Sequence, residues 1–153
     1  VDPVQMKTVL GYIEDGKAAG ARLLAGGGAA RQDSGGLYIE PTLFDGVDAG
    51  MRIAREEIFG PVLCVLRYTD ETDAVRQAND TQYGLASYVW GTDYCEIARI
   101  VRGLEFGVVN VNGPGTGPAY PHGGWKDSGV GADGSCYSLD EYFRKKGVRA
   151  ALR

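Results

Sequence analysis

The first stretch of this chain able to hold a ligand is Arg55-Glu56-Glu57-Ile58-Phe59-Gly60-Pro61. In an extended conformation Glu57 and Phe59 point to one side, and Glu56 and Ile58 to the other. Gly60 permits an unusual backbone angle, and Pro61 sets the entry into the next element. One carboxylate and one ring are thereby presented together on a stiff turn. On composition alone a solvated glutamate outweighs a ligand, so the stretch does not decide a function by itself.

The other candidates are weaker. Cys64 lies inside an apolar run and reads as a packed small hydrophobe. Cys95 falls in the first turn of an expected helix, and Cys136 has no base near it in sequence. No surrounding pattern makes either a nucleophile. The three cysteines form no CxxC pair, and the single His122 excludes His-rich metal sites, so neither a disulfide framework nor a metal site is expected. Gly129-Val130-Gly131-Ala132-Asp133-Gly134 fits GxGxxG, but Lys126-Asp127-Ser128 precedes it and the chain is nearly over. A dinucleotide fingerprint needs a strand before it, a helix after it and an acid about 20 residues on; turns are the better reading. Gly113 to Pro118 fails likewise, because its prolines block a following helix.

Composition bounds the rest. The chain has 153 residues, 44% hydrophobic and 24% charged, enough for one soluble domain with a real core. Its 24 glycines imply many turns and close backbone approaches. A net charge of −4 argues against nucleic acid as a partner, and Arg144, Lys145, Lys146 and Arg149 read as a solvated edge. No apolar run approaches a membrane span, and Val1-Asp2-Pro3 offers no basic region of a signal peptide, so a cytoplasmic location fits best. The opening on Val, directly into a helical pattern, suggests a fragment or a processed product.

The elements that must position these residues follow from periodicity. A helix is expected over about 4–19, ended by Gly20, then a short strand at 21–25. Residues 38–44 look extended, with Pro41 demoting them to an edge or bulged strand. Val62 to Tyr68 predicts a strand buried on both faces. Asp70 caps a helix carrying Ala74, Val75 and Ala78, and Ser87 to Trp90 is a strand. Asp93-x-x-Glu96 resembles a capping box, followed by Ile97, Ile100, Val101 and Leu104 on one helical stripe, then a strand at 108–111. This order implies βαβ units: an α/β fold with a mainly parallel sheet and flanking helices. Residues 112–134 form a long Gly- and Pro-rich loop of the kind that is usually functional or disordered, and its Tyr120, His122 and Trp125 favour function. A short helix at 138–144 and a last strand at 148–152 close the chain.

Four ordered motifs carry a resemblance. Glu56-Glu57-Ile58-Phe59-Gly60-Pro61-Val62, with its lead-in from Met51, is similar to a segment of the aldehyde dehydrogenase superfamily. Ala78-Asn79-Asp80-Thr81-Gln82-Tyr83-Gly84-Leu85-Ala86 resembles that superfamily's Ala-Asn-x-x-x-Tyr-Gly-Leu-Ala. Val109-Asn110-Val111-Asn112 stands where its members have a strand ending in Asn, and Gly123-Gly124-Trp125-Lys126-Asp127-Ser128-Gly129 resembles their Gly-Gly-x-Lys-x-Ser-Gly. The resemblance spans essentially the whole chain and corresponds to the C-terminal third of a full-length member.

The resemblance implies oxidation of an aldehyde to a carboxylic acid with NAD or NADP, by a cysteine thiolate and a water-activating glutamate. Both of those residues, and the coenzyme domain, lie upstream of the Glu-Glu-Ile-Phe segment in the family, so no catalytic residue is assigned in this chain and the chain alone is expected to be inactive. Glu57 would grip the nicotinamide ribose and Phe59 would pack beside the nicotinamide. Tyr120 and His122 would line the substrate tunnel; His122 could equally cap a turn. Asn112, Gly123, Gly124, Lys126 and Ser128 would hold the loop rather than react. Pro121-His122-Gly123-Gly124, with Asp133 to Tyr142 after it, is similar to aminoaldehyde dehydrogenases such as those acting on 4-aminobutanal. Residues 1–146 would be part of the catalytic domain and 147–153 an oligomerisation strand, giving a homo-oligomer, dimer or tetramer. Ala132-Asp133 replaces the Arg-Glu often seen at that place, which bears on a subunit contact. The competing reading is a non-catalytic binding or oligomerisation module built on the same surface.

Overall fold

The computed structural model describes residues 2–113, 119–136 and 138–151, and divides into two compact units, Val1–Thr69 and Asp70–Arg153. The class is α/β.

The first unit is organised by helix α1 (Pro3–Ala18). Asp2 starts it: its carboxylate accepts the Gln5 N–H at 2.8 Å, and Pro3, which has no N–H to lose, occupies the first turn. Val9, Tyr12, Ile13 and Gly16 form one buried stripe. That stripe packs with Phe44 of strand β4, Ile53 of the short helix α2 (Arg52–Arg55) and Ile58. A Cβ on Gly16 would stand 2.8 Å from Ile53 Cδ1, so the absence of a side chain there lets the two helices close up. Strand β1 (Arg22–Ala25) pairs antiparallel with β4 (Thr42–Asp45), and β4 pairs parallel with β5 (Val62–Cys64). A two-stranded ribbon, β2 (Ala29–Ala30) with β3 (Tyr38–Ile39), lies beside this sheet in sequence. Pro41 divides the expected strand at 38–44 into β3 and β4, as a residue with no N–H to donate would. Asp45, almost buried, binds the guanidinium groups of both Arg22 and Arg67. Together these hold its carboxyl at about 2, far below the ordinary 3.8.

One expectation is overturned here. The strand from Val62 ends at Cys64, and β5 is an edge, in the order β1-β4-β5, with Leu63 63% exposed. An unbroken apolar run cannot by itself distinguish burial on two faces from burial on one.

The second unit contains helix α3 (Glu71–Asn79), capped by Asp70 through the Asp73 N–H at 2.9 Å. Strand β7 (Ala86–Val89), helix α4 (Tyr94–Gly103) and strand β8 (Val108–Val111) form a βαβ unit. Its strands pair in parallel from Ala86↔Val108 to Val89↔Val111. Asp93 caps α4 by accepting the Cys95 and Glu96 N–H groups, and Ile97 and Leu104 of the expected stripe are buried. Strand β6 (Tyr83–Gly84) pairs antiparallel with β9 (Trp125–Lys126), inside the segment expected to be loop, and α5 spans Ser138–Tyr142.

The strands therefore form four small sheets rather than one mainly parallel sheet: β4–β5 and β7–β8 pair in parallel, and the other three strand pairings among the described residues are antiparallel. Two-residue strands carry no readable periodicity, so sequence reading sees the βαβ unit and misses the ribbons. Residues 148–151 form no strand within the chain, and Leu152 lies outside the described residues. A strand requires a paired backbone, which sequence alone cannot supply. Among the described residues no helix is long and apolar enough to cross a membrane.

Candidate functional site

The bend after α2 realises the alternation read from its sequence. Ile58 is buried in the first unit's core. Glu56 turns to the same side and is held by two donors, the Tyr12 hydroxyl at 2.7 Å and Arg52 Nε at 2.9 Å. The Tyr12 hydrogen bond, then that of Arg52, lowers the Glu56 carboxyl, and the same bond to Glu56 raises the Tyr12 phenol. Arg52 also lies over the Tyr12 ring, 4.2 Å from its centroid, and reaches Asp15 at 2.6 Å. Glu57 and Phe59 are exposed, Phe59 by 75%. Among the described residues the Glu57 carboxylate has no hydrogen bond or ion pair.

The backbone corrects one expectation. The left-handed angle is taken by Phe59, φ 52°, not by Gly60. Such an angle is uncommon for a bulky residue and persists only where surroundings impose it. Gly60 serves close packing instead: a Cβ there would stand 2.6 Å from Cγ1 of Val9, which is 1% exposed. Gln5, in the first turn of α1, donates from Nε2 to the Ile58 and Phe59 carbonyls, each at 3.2 Å. Pro61 then joins the sheet, its carbonyl accepting the Thr42 N–H at 2.8 Å. Sequence reading missed Gln5, Tyr12 and Arg52. A signal existed: Gln5, Val9 and Tyr12 recur at i, i+4 and i+7, so the polar ends belong to one face with the apolar middle.

The second unit holds the remaining candidates. Asn112, also left-handed at φ 54°, uses its amide on Gly91 twice: Oδ1 accepts the N–H and Nδ2 donates to the carbonyl, both at 2.9 Å. Tyr120 and His122 are exposed. The backbone of His122 bridges Asp133 in both directions, at 2.6 and 2.8 Å, while its ring has no partner among the described residues. Gly123 and Gly124 are points of backbone contact. A Cβ on Gly123 would lie 2.3 Å from the Gly131 carbonyl oxygen, and one on Gly124 would lie 2.5 Å from Ser128. Lys126 donates from Nζ to the Asn79 and Thr81 carbonyls at 2.8 and 3.2 Å and pairs with Glu105 at 2.8 Å. The Ser128 hydroxyl accepts the Gly84 N–H at 2.9 Å. In the GxGxxG-like stretch Gly129, Gly131 and Gly134 all have positive φ, and α5 starts later, at Ser138. Residues 114–118 of the other Gly-Pro stretch lie outside the described residues.

Cys64 donates to the Ile53 carbonyl and burial raises its thiol; Cys95 and Cys136 are exposed. Among the described residues no three His, Cys, Asp or Glu side chains are grouped to hold a metal.

Residues 1–148 match the model of the aldehyde dehydrogenase family. The chain belongs to that family. Its members are oxidoreductases acting on aldehydes. It is 45% identical over 150 residues to a betaine aldehyde dehydrogenase of Agrobacterium fabrum, covering 97% of this chain and 30% of that one. A solved NAD-dependent aldehyde dehydrogenase of Sinorhizobium meliloti superposes with a TM-score of 0.92 at 39% identity, over 99% of this chain and 31% of that one. An NAD+-bound indole-3-acetaldehyde dehydrogenase of P. syringae superposes with a TM-score of 0.89 at 49% identity, over 92% and 29%. The chain thus spans about 30% of the length of the curated relatives it matches.

Proposed function

We propose that this chain is the C-terminal portion of an NAD(P)-dependent aldehyde dehydrogenase and supplies the grip on the nicotinamide ribose. The observation that carries this reading is the exposed Glu57 carboxylate, without a partner among the described residues, two positions before the exposed Phe59 ring, on a bend whose Glu56 and Ile58 are locked. An ionised carboxylate accepts hydroxyl hydrogen bonds worth about 1.5–3 kcal/mol each, because one partner is charged. The diol of a ribose presents two. Phe59 offers a flat apolar surface for a planar ring. These are the features a nicotinamide riboside requires, so the residues fit the coenzyme. When bound, NAD(P)+ supplies the hydride acceptor.

The nucleophilic cysteine and the base come from outside this chain, so the isolated chain is inactive. Tyr120 and His122 form part of the substrate wall, and the substrate class is an aminoaldehyde. Support for that class is the Pro121-His122-Gly123-Gly124 sequence. The C-terminal segment from Gly147 would pair with a second copy of the chain, giving a cytoplasmic homo-oligomer.

The deciding experiment is Glu57→Gln in the intact enzyme. It should weaken NAD(P)+ binding by about tenfold, the loss of roughly one charged hydrogen bond, and leave thermal stability within about 0.5 kcal/mol. Unchanged coenzyme affinity would overturn the assignment of Glu57. Dehydrogenase activity in the 153-residue chain alone would refute the absence of catalytic residues.

A further inference from the structure

We infer that Gln5 is a positioning residue for the coenzyme grip: from the first turn of α1 its amide holds the left-handed turn at Phe59 and so sets the direction of Glu57 and Phe59. This rests on the reading of Glu57 and Phe59 given above.

The geometry is specific. The backbone angles of a residue describe the rotation between the two peptide planes that flank it. For Phe59 those planes carry the Ile58 and Phe59 carbonyls. Gln5 Nε2 lies 3.2 Å from both oxygens. An amide NH2 has two N–H donors, so each carbonyl can receive one. A single side chain thereby pins both planes and makes the two carbonyls converge. In an extended strand they would point in opposite directions. The left-handed angle of 52° at Phe59 is therefore imposed from α1, not chosen by the residue.

Gln5 is itself fixed. Its own N–H is bonded to Asp2 Oδ1 at 2.8 Å, inside a helix whose buried stripe begins four residues later at Val9. Val9 also meets Gly60 from the other end of the turn. The bend is thus tied to one helix at Gln5 and Val9, and tied by its Glu56 side chain to Tyr12 of the same helix. The Tyr12 and Arg52 contacts restrain a side chain that faces away from the grip. The Gln5 contacts restrain the backbone that aims it.

The experiment uses Gln5→Leu, which keeps the bulk and removes both donors, and Gln5→Lys, which restores a donor to the same carbonyls. In the intact enzyme Gln5→Leu should raise the coenzyme KM by about tenfold with the aldehyde KM and kcat little changed, and Gln5→Lys should recover most of that loss. If Glu57→Gln weakens coenzyme binding but Gln5→Leu does not, the inference about Gln5 fails while the function stands. If neither does, the reading of Glu57 has failed first.

A second readout needs no coenzyme. In urea unfolding of the intact apoenzyme, Gln5→Leu should destabilise the wild type more than it destabilises Phe59→Gly, because glycine adopts the left-handed angle without help. Additive effects would overturn the inference. Should Phe59→Gly fail to fold, the backbone carbon shifts of Phe59 in the Gln5→Leu chain decide. Left-handed values retained there would equally overturn it.

Discussion

The bend at residues 56–61 and the loop at 119–136 both combine glycine with polar side chains, and they use them in opposite ways. In the bend Glu57 and Phe59 are exposed, and the Glu57 carboxylate has no partner among the described residues, while their neighbours are tied: Ile58 to the core, Glu56 to Tyr12 and Arg52, Gly60 against Val9. In the loop the polar motif residues are themselves the ties: Lys126 to two carbonyls and Glu105, Ser128 to Gly84. Tyr120 and His122 are left exposed. A charged residue within a motif therefore has no fixed meaning. A free carboxylate on a rigid base can meet a ligand, whereas an ammonium already bonded to two carbonyls and a carboxylate is holding the chain.

Substitutions test this contrast. The largest effect is expected where the loop packs on the residue before β8, at Gly107→Ala. A Cβ there would stand 1.7 Å from the Gly123 carbonyl oxygen, so two backbones must separate. Destabilisation of about 3 kcal/mol or more is expected, measured by urea unfolding. A value under about 1 kcal/mol would mean the loop is not packed as described.

In the bend the equivalent change is Gly60→Ala, which meets the Val9 side chain at 2.6 Å. A side chain yields more than backbone, so about 1–3 kcal/mol is expected, with coenzyme binding weakened as well because the turn at Phe59 is adjacent. Lost stability with intact binding would uncouple the rigid base from the grip.

The smallest effect sharpens the contrast inside the first unit. Asp45 is tied by Arg22 and Arg67, whose hydrogen bonds lower its carboxyl from 3.8 to about 2. The folded state therefore binds this proton less readily than the unfolded chain. Its contribution to stability is complete above the ordinary value and is lost as pH falls from 3.8 toward 2. Asp45→Asn should flatten that part of an acid-unfolding profile, and Glu57→Gln should leave it unchanged. An acid limb identical in Asp45→Asn and wild type would remove Asp45 from this role.

Much of the fold was legible because its signals are local. Asp70 and Asp93 cap helices that start where they stand, and Ile97 and Leu104 mark the buried stripe of α4. The extent of β5, the mixed pairing and the short ribbons were not legible, since each depends on a partner distant in sequence. The same division runs through the site. The alternation of Glu56 to Phe59 follows from the chain's own period, and the motifs carried the family.

What sequence by itself determined is the order of caps, stripes and motif residues, because each depends on neighbours within a turn or two. What tertiary structure decided is which of those residues are free. Glu57 and Lys126 are both charged members of motifs. Only the approach of α1 to the bend, and of Asn79, Thr81 and Glu105 to the loop, leaves one open and satisfies the other. The left-handed turn at Phe59 belongs with them, since a hydrogen bond from 54 residues away imposes a conformation that local preference would refuse.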